Sequence, residues 1–375
     1  MTKKLKIAMF FASDAKQAGG VQEHVYYLAK ELENIGHHVD VFGTEKNLLP
    51  YKNYHPIATS LNLPLPSGNW GNLTVENDAG KNILQYLANN KYDLIHVHEP
   101  QIPFINWEVM KLTNLPKVTT YHATWDLDSP INVLNSFIPL LKDSFLKQVK
   151  GSIFVSKRTK KCWEEVFSQR AVKRIIANGI DLNLFKYKKN NNQKLNILFL
   201  ARIVPKKGLQ FLIRAFEKII KNNKNITLSV VGDGWDKKNI MNYVKRKKLG
   251  RYVKFYGYVD KEKKPEYFQK ADIFCAPYIN EGFGITLLEA MASGVPIVGF
   301  RNDAFDEVLK DYPNRELIVT KKNVDSIYVA LTKLINDEKM RSNIRQWELR
   351  EVKKYSWKKI ASEIEAFYFK ILKIS

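Results

Sequence analysis

The segment ADIFCAPYINEGFGITLLEAMASGVPIVGF, residues 271–300, holds a whole structural unit. ADIFCAP reads as a buried strand that runs into a loop. Ile285, Leu287, Leu288, Met291 and Ala292 then recur at helical spacing. Gly294 suits the residue just past the helix end, because it takes positive φ without steric cost, and Pro296 forbids continuation. PIVGF is the next strand. Strand, glycine turn, helix, strand is the repeating unit of a parallel sheet covered by helices. The turn also has a chemical reading. A helix N-terminus offers unpaired N–H donors, and Gly282 and Gly284 let the backbone approach a ligand closely, which suits a phosphate. Glu281 stands at the lip of the turn and Glu289 about one turn inside the helix. Each carboxylate could accept hydrogen bonds from two vicinal hydroxyls of a sugar or ribose ring. An alternative is that Glu281 caps the helix and Glu289 makes a surface ion pair. Spacing alone does not choose between these readings.

Working outward, the same alternation fills the chain. KIAMFFA, VDVF, DLIHVH, KVTTY and SIFVS are strand-like in the first half. VQEHVYYLAKELENIG, AGKNILQYLANN and residues 157–168 read as helices, with Gly36 closing the first. The pattern pauses in the polar stretch DLNLFKYKKNNNQK, which places a domain boundary near residues 186–194. It restarts with LNILFLA, GLQFLIRAFEKII, ITLSVVG, a helix over 236–248, YVKFYG and the opening segment. Helical segments at 323–336, 339–352 and 357–372 close the chain. The expectation is an α/β protein with an N-terminal domain over 1–186, a second over 187–355 and a terminal helix over 356–375.

The 375 residues leave room for two cores, and the hydrophobic content of 45% is ordinary. No stretch is long and apolar enough to cross a bilayer. Met1–Ala12 reads as a first strand rather than a signal peptide. The only cysteines are Cys162 and Cys275, both in segments that look structural, so a disulfide framework or a cysteine-based metal site is not expected, and a reducing cytoplasm is. The net charge of +22 is uneven: +4 arises before residue 186 and +18 from there onward. A basic half attracts nucleotides, nucleic acid or anionic lipid. The lysines are nevertheless scattered through KNNNQK, KNNKN and DKEKK, as in a solvated surface coat.

Four further loops carry candidate chemistry where an open α/β sheet places its ligands. In ASDAKQAGGVQEHV, Gly19 and Gly20 open a helix and Gln22 projects from its first turn. This is not a GxGxxG fingerprint, and Asp40 is the one acid near the end of the second strand. In TTYHATWDLDSP, His122 follows a strand end, and Asp126 with Asp128 forms a DxD pair of the kind that can bind a divalent metal. In FLARIVPKKGLQ, Arg202 ends a strand and Lys207 starts the next helix, two cations placed to clamp a pyrophosphate. In VVGDGWD, Gly232 and Gly234 allow a turn close to a ligand.

Taken together, ARIVPKKG, VVGDG, ADIFCAP, EGFGITLLEAMASGVPIV and NGID near residue 178 resemble the retaining family-4 glycosyltransferases of the GT-B fold. AGGVQEHV and HVHEP most resemble phosphatidylinositol mannosyltransferases and other lipid-acceptor enzymes. The resemblance implies two Rossmann-like domains facing a central cleft, with the C-terminal helix, from SWKKIA, returning to the first. It implies that Arg202 and Lys207 hold a donor diphosphate, and that the N–H groups of Gly284 and Ile285 meet the phosphate or sugar. Glu281 would bind the transferred sugar and Glu289 the ribose. Val259 and Lys264 would lie at the nucleotide base, with Gly232 and Gly20 beside the donor. Gln22 and His122 would face the acceptor, and His122, Glu281, Arg202 and Lys207 would carry catalysis.

No metal ligand and no cofactor is implied beyond a UDP- or GDP-linked sugar. The expected partners are that nucleotide sugar, a lipid-linked or glycan acceptor and an anionic membrane surface, without nucleic acid. Two departures stand out. ATWDLDSP and SGNWGNLTVEN lack the basic residues that the phosphatidylinositol enzymes place around an inositol phosphate, and Lys261 replaces an acid that could read guanine. A phosphatidylinositol mannosyltransferase proper is therefore one alternative. A basic nucleic-acid-binding protein is another, and it explains the charge but not the ordered loops. Residues 136–150, SFIPLLKDSFLKQVK, read as a basic amphipathic helix, with Lys142 and Lys147 opposite Phe137, Leu141 and Phe145. With Lys157, Arg158, Lys160 and Lys161 nearby, it would dock the first domain peripherally on a membrane.

Overall fold

In the computed structural model the described residues are 3–11, 20–44, 51–64, 70–75, 79–102, 105–112, 114–122, 124, 149–167, 171–190 and 193–373. The chain divides into two units, one formed by Met1–Gly179 with Trp357–Ser375 and the other by Ile180–Ser356.

The first unit runs β1 (Lys6–Phe11), α1 (Gly20–Asn34), β2 (His38–Thr44), β3 (Tyr54–Pro64), β4 (Trp70–Val75), α2 (Ala79–Asn89), β5 (Leu94–His98), α3 (Ile105–Leu112), β6 (Lys117–Tyr121), β7 (Val149–Phe154), α4 (Lys157–Phe167) and β8 (Val172–Ile175). The second runs β9 (Leu195–Leu200), α5 (Leu209–Asn222), β10 (Ile226–Val231), α6 (Lys237–Arg246), β11 (Val253–Gly257), α7 (Lys264–Gln269), β12 (Ile273–Ala276), α8 (Ile285–Ala292), β13 (Ile297–Phe300), α9 (Asp303–Val308), β14 (Ile318–Val319), α10 (Val324–Asn336) and α11 (Glu338–Glu351). The terminal helix α12 (Trp357–Leu372) belongs to the first unit.

The first sheet has the order β4-β3-β2-β1-β5-β6-β7-β8, the second β11-β10-β9-β12-β13-β14. Pairing is parallel throughout, except that β3 and β4 are antiparallel at an edge. Strands such as β1, β5 and β12 are buried along almost their whole length, as a sheet covered on both faces demands. One face of the first sheet packs Val25, Leu28 and Leu32 of α1 with Trp357, Ile360, Ile364 and Phe367 of α12. The other packs Ile83, Leu87 and Val109 of α2 and α3. The helix α12 lies so close that a Cβ on Gly179 would meet Trp357 at 2.4 Å, and one on Gly151 would meet Phe367 at 2.7 Å.

The first boundary falls at Gly179/Ile180 rather than at 186/187. The reason is local: the Ile180 N–H donates to the Tyr355 carbonyl at 2.8 Å, and Phe185 is buried against Phe268. The polar run that suggested the boundary therefore begins inside the second unit.

Glu348 of α11 is fully buried, with Tyr312 Oη donating to its Oε1 at 3.4 Å. Burial pushes its carboxyl well above the usual range, and the Arg345 charge and the Tyr312 hydrogen bond do not offset that. The folded state thus keeps a proton that the unfolded chain releases above the ordinary carboxyl pKa. Stability contributed by this group is complete below that pKa and is lost as pH rises through the folded one. Glu348→Gln is expected to match wild type at pH 4 and to melt higher at pH 8. Each unit of raised pKa corresponds to about 1.4 kcal/mol, and each kcal/mol to about 2–4 °C in a domain of this size. Thermal melts at the two pH values check it; equal shifts at both would show that the glutamate is not protonated in the fold.

Candidate active site

In the second unit the strand order turns back between β9 and β12, the position where open α/β sheets bind ligands. The loops after β9, β10 and β12 are laced together there. The Ile203 N–H donates to the Asp233 carbonyl at 2.8 Å, and the Ile279 N–H to the Lys206 carbonyl at 2.9 Å. A Cβ on Gly232 would meet the Ala201 carbonyl oxygen at 1.9 Å, so the β9 and β10 loops touch at their backbones. Arg202 is exposed just past β9. Lys207 does not start a helix as expected. It ends a 3-10 turn, Pro205–Lys207, and α5 begins only after Gly208. The reason is that Gly208 sits at φ 72°, which breaks the helical run and lets the turn face the β12 loop.

The Lys207 ammonium donates to Glu281 Oε2 and lies 4.4 Å above the Tyr278 ring. Tyr278 is buried, donates to the Leu200 carbonyl at 2.9 Å and sits 3.2 Å from the Thr286 hydroxyl. Burial would raise the Glu281 carboxyl. The Lys207 charge and hydrogen bond, the Gly282 N–H and the Lys206 charge outweigh it and hold Glu281 below the usual carboxyl range. The fixed pair is therefore ionised. Asn302 fastens the same corner, donating to the Tyr278 carbonyl at 3.0 Å while it caps α9.

The open readings of the two glutamates now separate. Glu281 does not cap α8. The N-cap is Gly284 at φ 84°, and no side chain caps the first N–H groups of α8, which starts at Ile285. Glu289 is not on the surface. It is fully buried, and Lys264 at the start of α7 donates to its Oε1 at 3.0 Å. Val259 lies half-buried shortly before α7. Two lysine–glutamate pairs thus flank one helix N-terminus, an arrangement able to hold an anion between two hydroxyl-bearing groups.

In the first unit His122 stands just past β6, and its N–H donates to Glu99 Oε1. Glu99 is buried at φ 54°, a left-handed backbone uncommon for this residue. Its conformation is held by the Thr120 carbonyl, 2.8 Å from its N–H, and by Asn106, which donates to its carbonyl at 2.9 Å. His122 Nε2 lies 3.1 Å from His98 Nδ1, and the His24 ring packs edge-on against His122 at 4.6 Å. His24 Nδ1 is 2.8 Å from Asn178 Oδ1. Burial lowers His24 to about 4 and holds His98 and His122 well below the ordinary imidazole value, with neighbouring histidines adding to the effect on the last two. Gln22 is buried on the first turn of α1 and Gly20 begins that helix. Sequence reasoning named His122 and Gln22 but not His24, His98, Glu99 or Asn178, nor Tyr278 and Asn302 in the second unit.

Asp40 is committed elsewhere. Its carboxylate accepts from Tyr92 Oη at 2.8 Å and pairs with His38 at 3.0 Å and His55 at 2.9 Å. Gly19, Asp126, Asp128 and the segment 136–148 lie outside the described residues. No helix among the described residues is long and apolar enough to cross a membrane.

The protein family described as Glycosyltransferase Family 4 matches residues 18–184, and that described as Glycosyl transferases group 1 matches residues 181–347. This chain is a family-4 glycosyltransferase of the GT-B fold. The glycosyltransferase is similar to a phosphatidyl-myo-inositol mannosyltransferase of Mycolicibacterium smegmatis, with 26% identity over 97% of this chain and 93% of the relative. An uncharacterised glycosyltransferase of Methanocaldococcus jannaschii is 28% identical over 97% of this chain and 98% of its own length. Among solved structures, a sucrose-phosphate synthase from Thermosynechococcus elongatus superposes with a TM-score of 0.77 at 19% identity, covering 99% of this chain and 100% of the other. An Anabaena protein solved with UDP and glucose gives 0.77 at 17% identity, over 97% and 99%. These structures share the fold of this glycosyltransferase.

Proposed function

We propose that this glycosyltransferase moves a hexose, mannose or glucose, from a UDP- or GDP-linked sugar to a lipid-linked or glycan acceptor, with retention at the anomeric carbon and without a metal in the transfer step. The observation that carries the reading is the ionised Lys207–Glu281 pair beside the uncapped start of α8. Lys207 is paired now, so a donor diphosphate would compete with Glu281 for its ammonium. That exchange frees the Glu281 carboxylate for the sugar hydroxyls at the moment the phosphate arrives. Fixed cations and oriented N–H groups then stabilise the departing diphosphate without reorganising. Glu289, with Lys264 beside it, is assigned to the ribose, and Arg202 and Gly232 to the diphosphate edge.

Gln22 and His122 of the first unit are assigned to the acceptor. His122 is neutral at pH 7, which suits hydrogen bonding to a hydroxyl rather than neutralising a phosphate. The mannosyltransferase relative favours mannose, and the Anabaena structure shows the fold holding UDP with glucose. Placement in the cytoplasm, peripherally on an anionic leaflet, belongs to the same proposal.

Donor hydrolysis and transfer measured across UDP- and GDP-hexoses test it. One donor series is expected to turn over equally with and without EDTA. Loss of activity in EDTA, restored by manganese, would overturn the metal-free step. Within that assay Glu289→Ala is expected mainly to raise the donor KM and Glu281→Ala mainly to lower kcat. Loss of a hydrogen bond to a charged group costs about 1.5–3 kcal/mol, roughly 10- to 150-fold. Wild-type kinetics in both variants would remove the two assignments.

A further inference from the structure

We propose that His24, His98 and His122 form a binding site for a first-row transition cation such as Zn2+ or Co2+. One ring nitrogen from each lies within 4.8 Å of the other two, and they come from α1, the end of β5 and the residue after β6. The closest pair, His98 Nδ1 and His122 Nε2, is 3.1 Å apart. Imidazole nitrogens on tetrahedral zinc sit at about 2.0–2.1 Å, hence about 3.4 Å from one another, so modest ring rotations close the set.

The proton inventory of the cluster favours a cation. The Asn178 oxygen faces His24 Nδ1, which makes that nitrogen the donor and leaves a lone pair on Nε2. His24 Nε2 is buried and has no hydrogen-bond partner among the described residues. A buried polar atom left unmet is costly. A divalent cation accepts the His24 Nε2 lone pair, and the proton shared by His98 Nδ1 and His122 Nε2 moves to a far ring nitrogen as the ion binds. The amide that orients His24 through its other nitrogen is the outer contact metal-bound histidines ordinarily have. Three neutral imidazoles suit zinc, cobalt, nickel or copper rather than magnesium or calcium, which prefer oxygen ligands. With three protein ligands the fourth position stays open. On the reading of His122 given above, an ion there would also slow transfer; the binding experiment does not depend on that reading.

The test titrates the full-length protein, stripped with chelator, with Co2+ at pH 7.5 and follows the visible ligand-field bands. One equivalent of Co2+ is expected to give the bands of a nitrogen-ligated, four-coordinate ion, which Zn2+ displaces. His24→Gln and His98→Gln are each expected to weaken binding at least tenfold, and His55→Gln to leave it unchanged. If the buried variants do not fold, zinc-edge X-ray absorption on wild type with one equivalent of Zn2+ decides, three imidazoles being the expected count. No bands at saturating Co2+, bands that survive in His24→Gln, bands lost in His55→Gln because the ion sits at Asp40, or fewer than three imidazoles would each overturn the site.

Discussion

Lys207→Ala is expected to lower kcat/KM for the nucleotide-sugar donor by about 10²–10³-fold, the loss seen when a fixed group stabilising transition-state charge is removed. Lys207 is the cation whose position the fold specifies most fully. Its backbone ends the Pro205–Lys207 turn, its stem crosses the Tyr278 ring and its ammonium holds Glu281. Removing it takes away the phosphate partner of the proposed donor site and also leaves the Glu281 carboxylate without the charge that keeps it ionised. The two losses are coupled, so Lys207→Ala with Glu281→Ala should cost less than the sum of the single changes. Lys207→Arg should recover only part of the rate, because a wide planar fork does not fit the place of a compact ammonium held between the Tyr278 ring and Glu281. Steady-state kinetics on the four variants and wild type measure this. A Lys207→Ala enzyme within threefold of wild type would place the diphosphate elsewhere.

The legible part of the molecule is the part written in local sequence. β9, β10 and β12 are apolar runs because both sheet faces are covered, and α8 is delimited by Gly284 and Gly294. The segment 271–300 therefore displayed both its fold and its glutamates. It could not tell a cap from a ligand-holding carboxylate. That choice depends on Gly284 taking the N-cap with a left-handed backbone and on Lys207, 74 residues earlier, reaching Glu281. The same limit hid the histidine cluster. His24 looked like one more residue of an amphipathic helix, and only the β1-β5-β6 order brings it to His98 and His122. The left-handed Glu99 carries no local signal, since glycine or asparagine usually marks such a backbone. The domain boundary was drawn from the polarity of residues 186–194, whereas backbone pairing of Ile180 with Tyr355 and burial of Phe185 set it earlier. The short helices α7 and α9 fell below the length at which periodicity can be read.

Gly208→Ala is expected to destabilise the second unit by about 2–5 kcal/mol, from about 1–2 for a left-handed backbone and about 1–3 for overpacking. Gly208 sits at φ 72° between the Pro205–Lys207 turn and α5, and a Cβ there would meet the Pro277 carbonyl oxygen at 1.9 Å and its carbon at 2.9 Å. Backbone cannot rotate away as a flexible side chain would. Either Pro277 or the turn must shift, and both hold site residues: Pro277 leads into Tyr278 and Glu281, and the turn carries Lys207. A variant that still folds should therefore lose catalytic rate as well, through displaced Lys207 rather than any lost side chain. Gly250→Ala provides the control, because a Cβ there meets nothing within 4 Å. Its stability is expected to stay within about 0.5 kcal/mol of wild type, as for ordinary surface changes. Urea unfolding of the three proteins, with donor turnover measured on each, reads both effects. If Gly208→Ala unfolds at the same urea concentration as Gly250→Ala, the close passage over Pro277 is not a constraint on the fold, and the positioning of Lys207 has to come from Tyr278 and Glu281 alone.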